Sequence, residues 1–321
     1  MEYAGLGRTG LKVSRLCLGT MNFGPLANEA ESFAVMDRAL EDGINFFDTA
    51  DVYGGSAGKG ATEEIIGRWL AQGGERRERV ALATKVFGRM GNRPNEGRLS
   101  AYHIRRACEE SLRRLRTDHL DLYQMHHVDR DTPWEEIWQA MEILVRHGKV
   151  LYCGSSNFAA WHIACAQNTA DKRHFLGLVS EQSLYNLTER RIELEVLPAC
   201  RALGLGFLPW SPLAGGILGG RGGATGRRTN DMAKQRIEIH QAALAAYEAF
   251  CSEVSESPAT VSLAWLLAQP GVTSVVIGPR TISQLTDCYA ALEMELTEQT
   301  LLRLDEIWPG PGNAAPEAYA W

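Results

Sequence analysis

INFFDTADVYGG, residues 44–55, begins as a buried strand and ends as something else. Ile44, Phe46 and Phe47 belong in a core, yet Asp48 follows at once, then Asp51, Tyr53 and two glycines. The apolar part does not alternate with polar residues. A continuous run of this kind fits a parallel strand covered on both faces. The question is why carboxylates and a phenol stand where that strand stops.

The same pattern recurs along the chain. RLCLGT (15–20), VALATKV (80–86), LDLYQMH (120–126), VLYCGSS (150–156), LVSEQ (178–182), GFLPW (206–210) and TSVVIG (273–278) are short apolar runs of strand length. With the first they make eight. Between them lie helical stretches at 30–42, 62–72, 100–116, 134–147, 159–170, 189–203, 231–252 and 281–293. Ile65, Ile66, Trp69 and Leu70 recur at helical spacing, with charge on the other side. Ser100 and Thr132 are the expected N-caps, and Pro133 belongs in the first turn after Thr132. Eight strand–helix units and no linker argue for a single-domain (β/α)₈ TIM barrel over residues 1–321. YAGLGRTGLKVS (3–14) has hairpin chemistry and is expected to cap the barrel floor. GGILGGRGGATGRRTND (215–231) is either a mobile loop or a flap that closes over phosphate.

Composition narrows the function classes. The chain has 321 residues, 45% apolar, enough for a large core. A net charge of −6 offers no basic surface for nucleic acid. No apolar run reaches the roughly 18–20 residues of a membrane helix, and MEYAGLGRTG lacks the build of a signal peptide. Seven scattered cysteines with no CxxC fit reduced thiols in a cytoplasmic protein. The sequon Asn186-Leu187-Thr188 is then a chance match. Whether copies associate as a homo-oligomer is left open.

Two motifs mislead. GLGRTG (5–10) matches the dinucleotide fingerprint letter for letter. Only four residues precede Gly5, and LKVSRLCLG after it is strand-like where a helix is needed, so it reads as a turn. His126-His127 and the other histidines show no metal-ligand spacing, so no metal is expected.

In such a barrel the C-terminal strand ends build the active site. Those ends carry Asp48, Lys85, His126, Ser155-Ser156-Asn157, Glu181-Gln182, Trp210-Ser211 and Gly278-Pro279-Arg280, with Tyr53 in the loop after Asp48. A phenol is too weak an acid to protonate a forming alkoxide well at neutral pH. A nearby ammonium favours its ionised form, and two to three pKa units need roughly 3–4 kcal/mol. Lys85 would supply the charge, Asp48 would keep it charged when buried, and His126 would orient a carbonyl oxygen. Singly, each has a plainer reading. Asp48 can cap a loop, Tyr53 can be a wall, Lys85 can snorkel to the rim, and His126 can be a satisfied core histidine. Their meeting on one rim carries the case.

With LGTMNFG (18–24), FFDTADVYG (46–54), ATK (83–85), DLYQMH (121–126), GKVLYCGSSNF (148–158), EQSLYN (181–186), PWSPLAGGIL (209–218) and IGPRTISQL (277–285), the chain resembles the aldo-keto reductases almost end to end. It is most similar to the bacterial branch related to potassium-channel β-subunits. The resemblance implies a tetrad of Asp48, Tyr53, Lys85 and His126, with Tyr53 as general acid, and an NADPH cofactor bound without a Rossmann motif. It implies that Thr20 and Met21 flank the nicotinamide and that Ser156, Asn157 and Gln182 hold its carboxamide. Trp210 would stack on the ring; its plainer reading is a barrel-top core aromatic. Ser211, Pro212, Leu213, Ala214 and Gly215 would run beside the pyrophosphate, with Arg221 closing over it. Gly278, Arg280, Gln284 and Asp287 would hold the adenosine part. Arg280 could fork onto a 2′-phosphate, which favours NADPH over NADH, or pair with a surface carboxylate. Cys288 stands where the family often has Asn. Trp308, Tyr319 and Trp321 are expected to pack rather than to wall a pocket. The substrate implied is a small-molecule aldehyde or ketone. Similar actinobacterial proteins associated with deoxysugar and other secondary-metabolite pathways add a keto-sugar reductase as a specific role. A cofactor-sensing subunit with little turnover is the reading from another class. Tyr102-His103-Ile104-Arg105-Arg106 lacks the lysine that a short-chain dehydrogenase needs.

Overall fold

Two short antiparallel strands, β1 (Tyr3–Gly5) and β2 (Lys12–Ser14), open the fold as a hairpin. The computed structural model describes residues 1–220 and 231–320. Eight parallel strands come next: β3 (Leu16–Gly19), β4 (Phe46–Asp48), β5 (Ala81–Val86), β6 (Leu120–Met125), β7 (Val150–Ser156), β8 (Leu178–Leu184), β9 (Gly206–Trp210) and β10 (Val275–Ile277). Their order is β10-β3-β4-β5-β6-β7-β8-β9. A parallel bridge between Phe207 and Val272 and the 2.9 Å bond from Thr273 N to Phe207 O bring β9 against the start of β10. That makes a (β/α)₈ barrel, as the eight apolar runs predict.

Burial on two faces explains why those runs do not alternate. Cys17, Phe46, Ala83, Leu122, Val179, Leu208 and Val276 fill the barrel interior, while Leu16, Leu18, Phe47, Leu82 and Tyr123 belong to the core beneath the helices. The hairpin closes the floor. Leu6 and Val13 are wholly buried among the interior residues. GLGRTG is the turn that inserts Leu6, with Leu6 N bonded to Leu11 O at 2.9 Å.

The helices are α1 (Glu29–Glu41), α2 (Ala61–Leu70), α3 (Ala101–Leu115), α4 (Trp134–Arg146), α5 (Ala160–Lys172), α6 (Val196–Leu203), α7 (Asp231–Ile239), α8 (Gln241–Glu253), α9 (Pro258–Ala268), α10 (Ile282–Asp287), α11 (Ala290–Glu293), α12 (Glu298–Ile307) and α13 (Glu317–Ala320). Several depart from expectation. The stretch 231–252 breaks at His240 into α7 and α8, and 281–293 breaks after Asp287 into α10 and α11. The stretch 189–203 is helical mainly from Val196, after a single tight turn at Arg191–Glu193. Helix α9 has no counterpart in the sequence reading because Thr260 to Leu266 are all buried, which leaves no polar stripe to mark a period. Ser100 caps α3 through His103 N, as expected. Thr132 does not cap α4: its hydroxyl donates to Asp129 at 2.9 Å, and Pro133 takes the cap position. Trp308 packs against Tyr247 and His240, whereas Tyr319 is exposed. Trp321 lies outside the described residues. Among the described residues no helix is long and apolar enough to cross a membrane.

Gly7 makes the floor hairpin possible. Its φ is +56°, and a Cβ there would sit 2.4 Å from the Val179 carbonyl oxygen and 2.7 Å from Gly204 O. Gly7→Ala therefore combines left-handed strain with over-packing, a loss of at least about 2 kcal/mol. A urea midpoint equal to that of the wild type would mean that the hairpin does not seat as described.

Candidate active site

The upper layer of the barrel interior is polar. Asp48 ends β4, Lys85 stands near the end of β5, Gln124 lies on β6 and Gln182 on β8. Lys85 is 0% exposed, so all three of its N–H donors need partners. It finds them in Asp48 Oδ2 at 2.5 Å, the Thr49 carbonyl at 2.9 Å and the Tyr53 hydroxyl at 3.4 Å. The other Asp48 oxygen accepts from Gln124 Nε2 at 2.9 Å and Gln182 Nε2 at 3.0 Å. Burial pulls the ammonium down, but Asp48 and Tyr53 outweigh it and hold Lys85 above its ordinary pKa.

Tyr53 reaches this cluster from the loop after β4. Its ring meets His126 edge-on, with centroids 5.7 Å apart. His126 follows β6, tied by its backbone N to Val86 O at 2.9 Å. Burial, then the charges of Lys85 and His127, push the imidazole down from 6.5 to about 3. It is a neutral hydrogen-bonding group at physiological pH.

Asp51 does not join this cluster. It is wholly buried beside Glu63, which accepts from Thr84 Oγ1 at 2.6 Å and Arg114 Nε at 2.7 Å. Burial and the Glu63 charge raise the Asp51 carboxyl well above its usual range. The opening stretch thus carries two carboxylates with separate roles.

A cleft of about 720 Å³ opens above the cluster. Asp48, Tyr53 and His126 line it together with Thr20, Met21, Ser156, Asn157, Gln182, Trp210, Ser211, Pro212, Leu213, Gly215, Gly278, Arg280, Gln284 and Asp287. Lys85 lies buried behind Tyr53. Two of the expected cofactor residues are absent from this lining. Ala214 packs into the core at 3% exposure, so its side chain faces away from the cleft. Arg221, with most of the 215–231 stretch, lies outside the described residues. Cys288 does line the cleft. Asn22, Leu26, Gly216, Ala259 and Leu263 line it as well, and nothing in their residue types marks them beforehand.

Asn157 lines the cleft with its amide engaged by the protein. Its Oδ1 accepts from Trp210 Nε1 at 3.0 Å, and its Nδ2 donates to His126 O at 3.2 Å and Ser156 Oγ at 2.9 Å. Its amide therefore ties the Trp210 indole to the His126 backbone. Gln182 spends Nε2 on Asp48 and Gln124, and its Oε1 accepts no bond among the described residues. Gln284 accepts from the Arg280 backbone N at 2.9 Å. No carboxylate pairs with the Arg280 side chain among the described residues. Gln124 is the member of this cluster that sequence reasoning missed. Its one signal is a polar side chain two positions before His126, on the same face of an apolar strand.

Comparison with known proteins identifies the family. Residues 15–309 match the family described as the aldo/keto reductase family. The chain belongs to the aldo/keto reductase family. It is 56% identical to an uncharacterized oxidoreductase, YrpG, of Bacillus subtilis (strain 168), over the full length of both chains. It is 34% identical to versiconal hemiacetal acetate reductase of Aspergillus parasiticus, over 95% of this chain and 96% of that one. It is also 34% identical to a probable voltage-gated potassium channel subunit beta of Oryza sativa subsp. japonica, over 92% of each. Membership in the aldo/keto reductase family makes the protein an oxidoreductase.

The depressed His126 pKa has a stability consequence. Between pH 6.5 and about 3 the unfolded chain takes up a proton at this position that the folded chain refuses. Stability present above pH 6.5 is thus lost as pH falls, by up to about 1.4 kcal/mol per pH unit. His126→Gln should flatten that fall, read by urea unfolding from pH 7 to 4. Parallel curves for the two proteins would refute the buried neutral imidazole.

Proposed function

We propose that the protein is an NADPH-dependent reductase of aldehydes or ketones in which Tyr53 is the general acid. One observation carries this: a single buried ammonium touches Asp48 and the Tyr53 hydroxyl at the bottom of an open cleft. At 3.4 Å and an effective dielectric near 20, Lys85 attracts a phenolate by about 5 kcal/mol. That exceeds the roughly 3–4 kcal/mol needed to make the phenol acidic enough to act. The carbonyl oxygen sits between Tyr53 Oη, which gives up its proton, and the His126 ring, which donates a hydrogen bond and aligns it. Reduced nicotinamide supplies the hydride that completes the alcohol. The Tyr53 phenolate then regains a proton from solvent while Lys85 and Asp48 hold the charge balance.

The residues present fit that dinucleotide. Gln182 Oε1 stands ready for an amide donor. Trp210 offers a ring whose Nε1 is held by Asn157. Gly215 and Gly216 have open space where a Cβ would be, so a diphosphate can approach their backbone. Arg280 has a guanidinium free of carboxylates among the described residues and suited to a phosphate. The 34%-identical rice relative carries a channel-subunit name, which supports a cofactor-sensing role as the competing reading. The intact ammonium–phenol contact favours turnover.

Tyr53→Phe removes the acid but not the cleft. NADPH binding should persist while kcat falls by about 10²–10⁴-fold, measured with the best carbonyl from a screen of aldehydes, ketones and keto sugars. A retained kcat would take Tyr53 out of the acid role. Cofactor binding without turnover on any carbonyl would favour the sensor.

Arg280→Ala should raise the KM for NADPH by about tenfold or more and that for NADH by less than about threefold, as loss of a charge-assisted contact predicts. Equal changes for both cofactors would exclude the 2′-phosphate contact.

A further inference from the structure

The wall of the cleft turns sharply after β9. Ser211 has φ +55° and Ala214 has φ +50°, ahead of Gly215 at +73° and Gly216 at +99°. Two non-glycine residues in the left-handed region within four positions need an external hold. The hold on Ser211 comes from far along the chain. Asn186, two residues beyond β8 and 1% exposed, donates from Nδ2 to the Ser211 carbonyl at 3.0 Å. That carbonyl also accepts from Ala214 N at 2.9 Å, and Ser211 Oγ accepts from Gly215 N at 3.1 Å.

The orientation of the Asn186 amide is itself fixed. Its Oδ1 accepts from both Thr188 N at 3.0 Å and Thr188 Oγ1 at 2.8 Å. Turning the amide over would set two oxygens face to face at Ser211 and two N–H groups against Thr188. The motif that reads as a sequon is thus an amide clamp. Its leucine packs into the core, and its threonine aims the asparagine.

We propose that Asn186 is a positioning residue for the cofactor loop: clamped by Thr188, it holds Ser211 left-handed and so sets the Ser211–Gly216 wall against which the diphosphate rests. It does not line the cleft, and it acts only through Ser211. The inference rests on the dinucleotide reading of the cleft. It assigns Asn186 to cofactor affinity and not to the chemical step at Tyr53.

Asn186→Leu keeps the branched outline of the side chain and removes both halves of the clamp, and Thr188→Val removes one of its two donors. The Kd for NADPH, from quenching of tryptophan fluorescence, should rise about tenfold in the first and about threefold in the second. The kcat at saturating cofactor should stay within about twofold. In the protein without cofactor, the Ala214 and Gly215 amides should exchange with solvent about tenfold faster in Asn186→Leu than in the wild type. Wild-type Kd and exchange in both variants would overturn the inference while leaving the reductase reading intact. A kcat loss with Kd unchanged would overturn it as well. If Asn186→Leu does not fold, Thr188→Val alone decides by the same two measurements. Failure of the wild type to bind NADPH would end the reading of the cleft and this inference together.

Discussion

A lysine with no exposed surface is expensive to keep charged, and the upper half of this barrel is arranged around that cost. Removing an ammonium from water is repaid only if its partners are close and complete. Lys85 has a carboxylate, a backbone carbonyl and a phenol, which satisfies all three donors. Asp48 in turn would be an uncompensated acceptor on its far side without Gln124 and Gln182. The four side chains therefore act as one layer. Removing any member leaves a buried polar group unpaired, so the layer resists drift while Tyr53 closes its open end.

That layer needs a dry base. Cys17, Phe46, Ala83, Leu122 and Leu208 fill the interior below it, and the hairpin seals the floor with Leu6 and Val13. Water reaching Lys85 from beneath would screen its attraction to the Tyr53 hydroxyl. The floor hairpin and the polar rim lie at opposite ends of the barrel, yet the second depends on the first. Such a division, with stability at the bottom and chemistry at the top, is what the fold permits.

The parts legible in the sequence were those that break a local rule. Asp48, Lys85 and His126 stand out because a titratable group ends an apolar strand, and eight such runs imply the barrel. Features that obey local rules stayed hidden. Helix α9 has no stripe because all its sides are covered. Gln124 is uncharged and looks like filler. Thr132 resembles a cap, but Asp129 competes for its hydroxyl and wins at 2.9 Å. Ala214 sits inside a loop motif whose neighbours line the cleft, yet its left-handed backbone turns the side chain inward. Asn186 was legible only as a sequon, since nothing local reveals a partner 25 residues away. The misses are tertiary choices among groups that have more than one partner available.

The side chains that shape the cleft share one property that suits the Lys85–Tyr53 contact. Asn157 ties Trp210 to the His126 backbone, Asn186 holds Ser211, Gln182 and Gln124 hold Asp48, and Gln284 holds the Arg280 backbone. All five are amides. An amide donates and accepts in fixed directions without titrating and without adding net charge. A carboxylate at any of these places would compete with Asp48 for Lys85 or shift the field at Tyr53, and a lysine or arginine would compete for Asp48. His126 reaches the same end by burial, which keeps it neutral. The result is a rim in which Lys85 and Asp48 are the buried charges that face the phenol, so their field is not diluted by the scaffolding that holds the cleft open. Amides supply the geometry and a single ion pair supplies the field. The separation lets the cleft loops vary without changing the field at Tyr53.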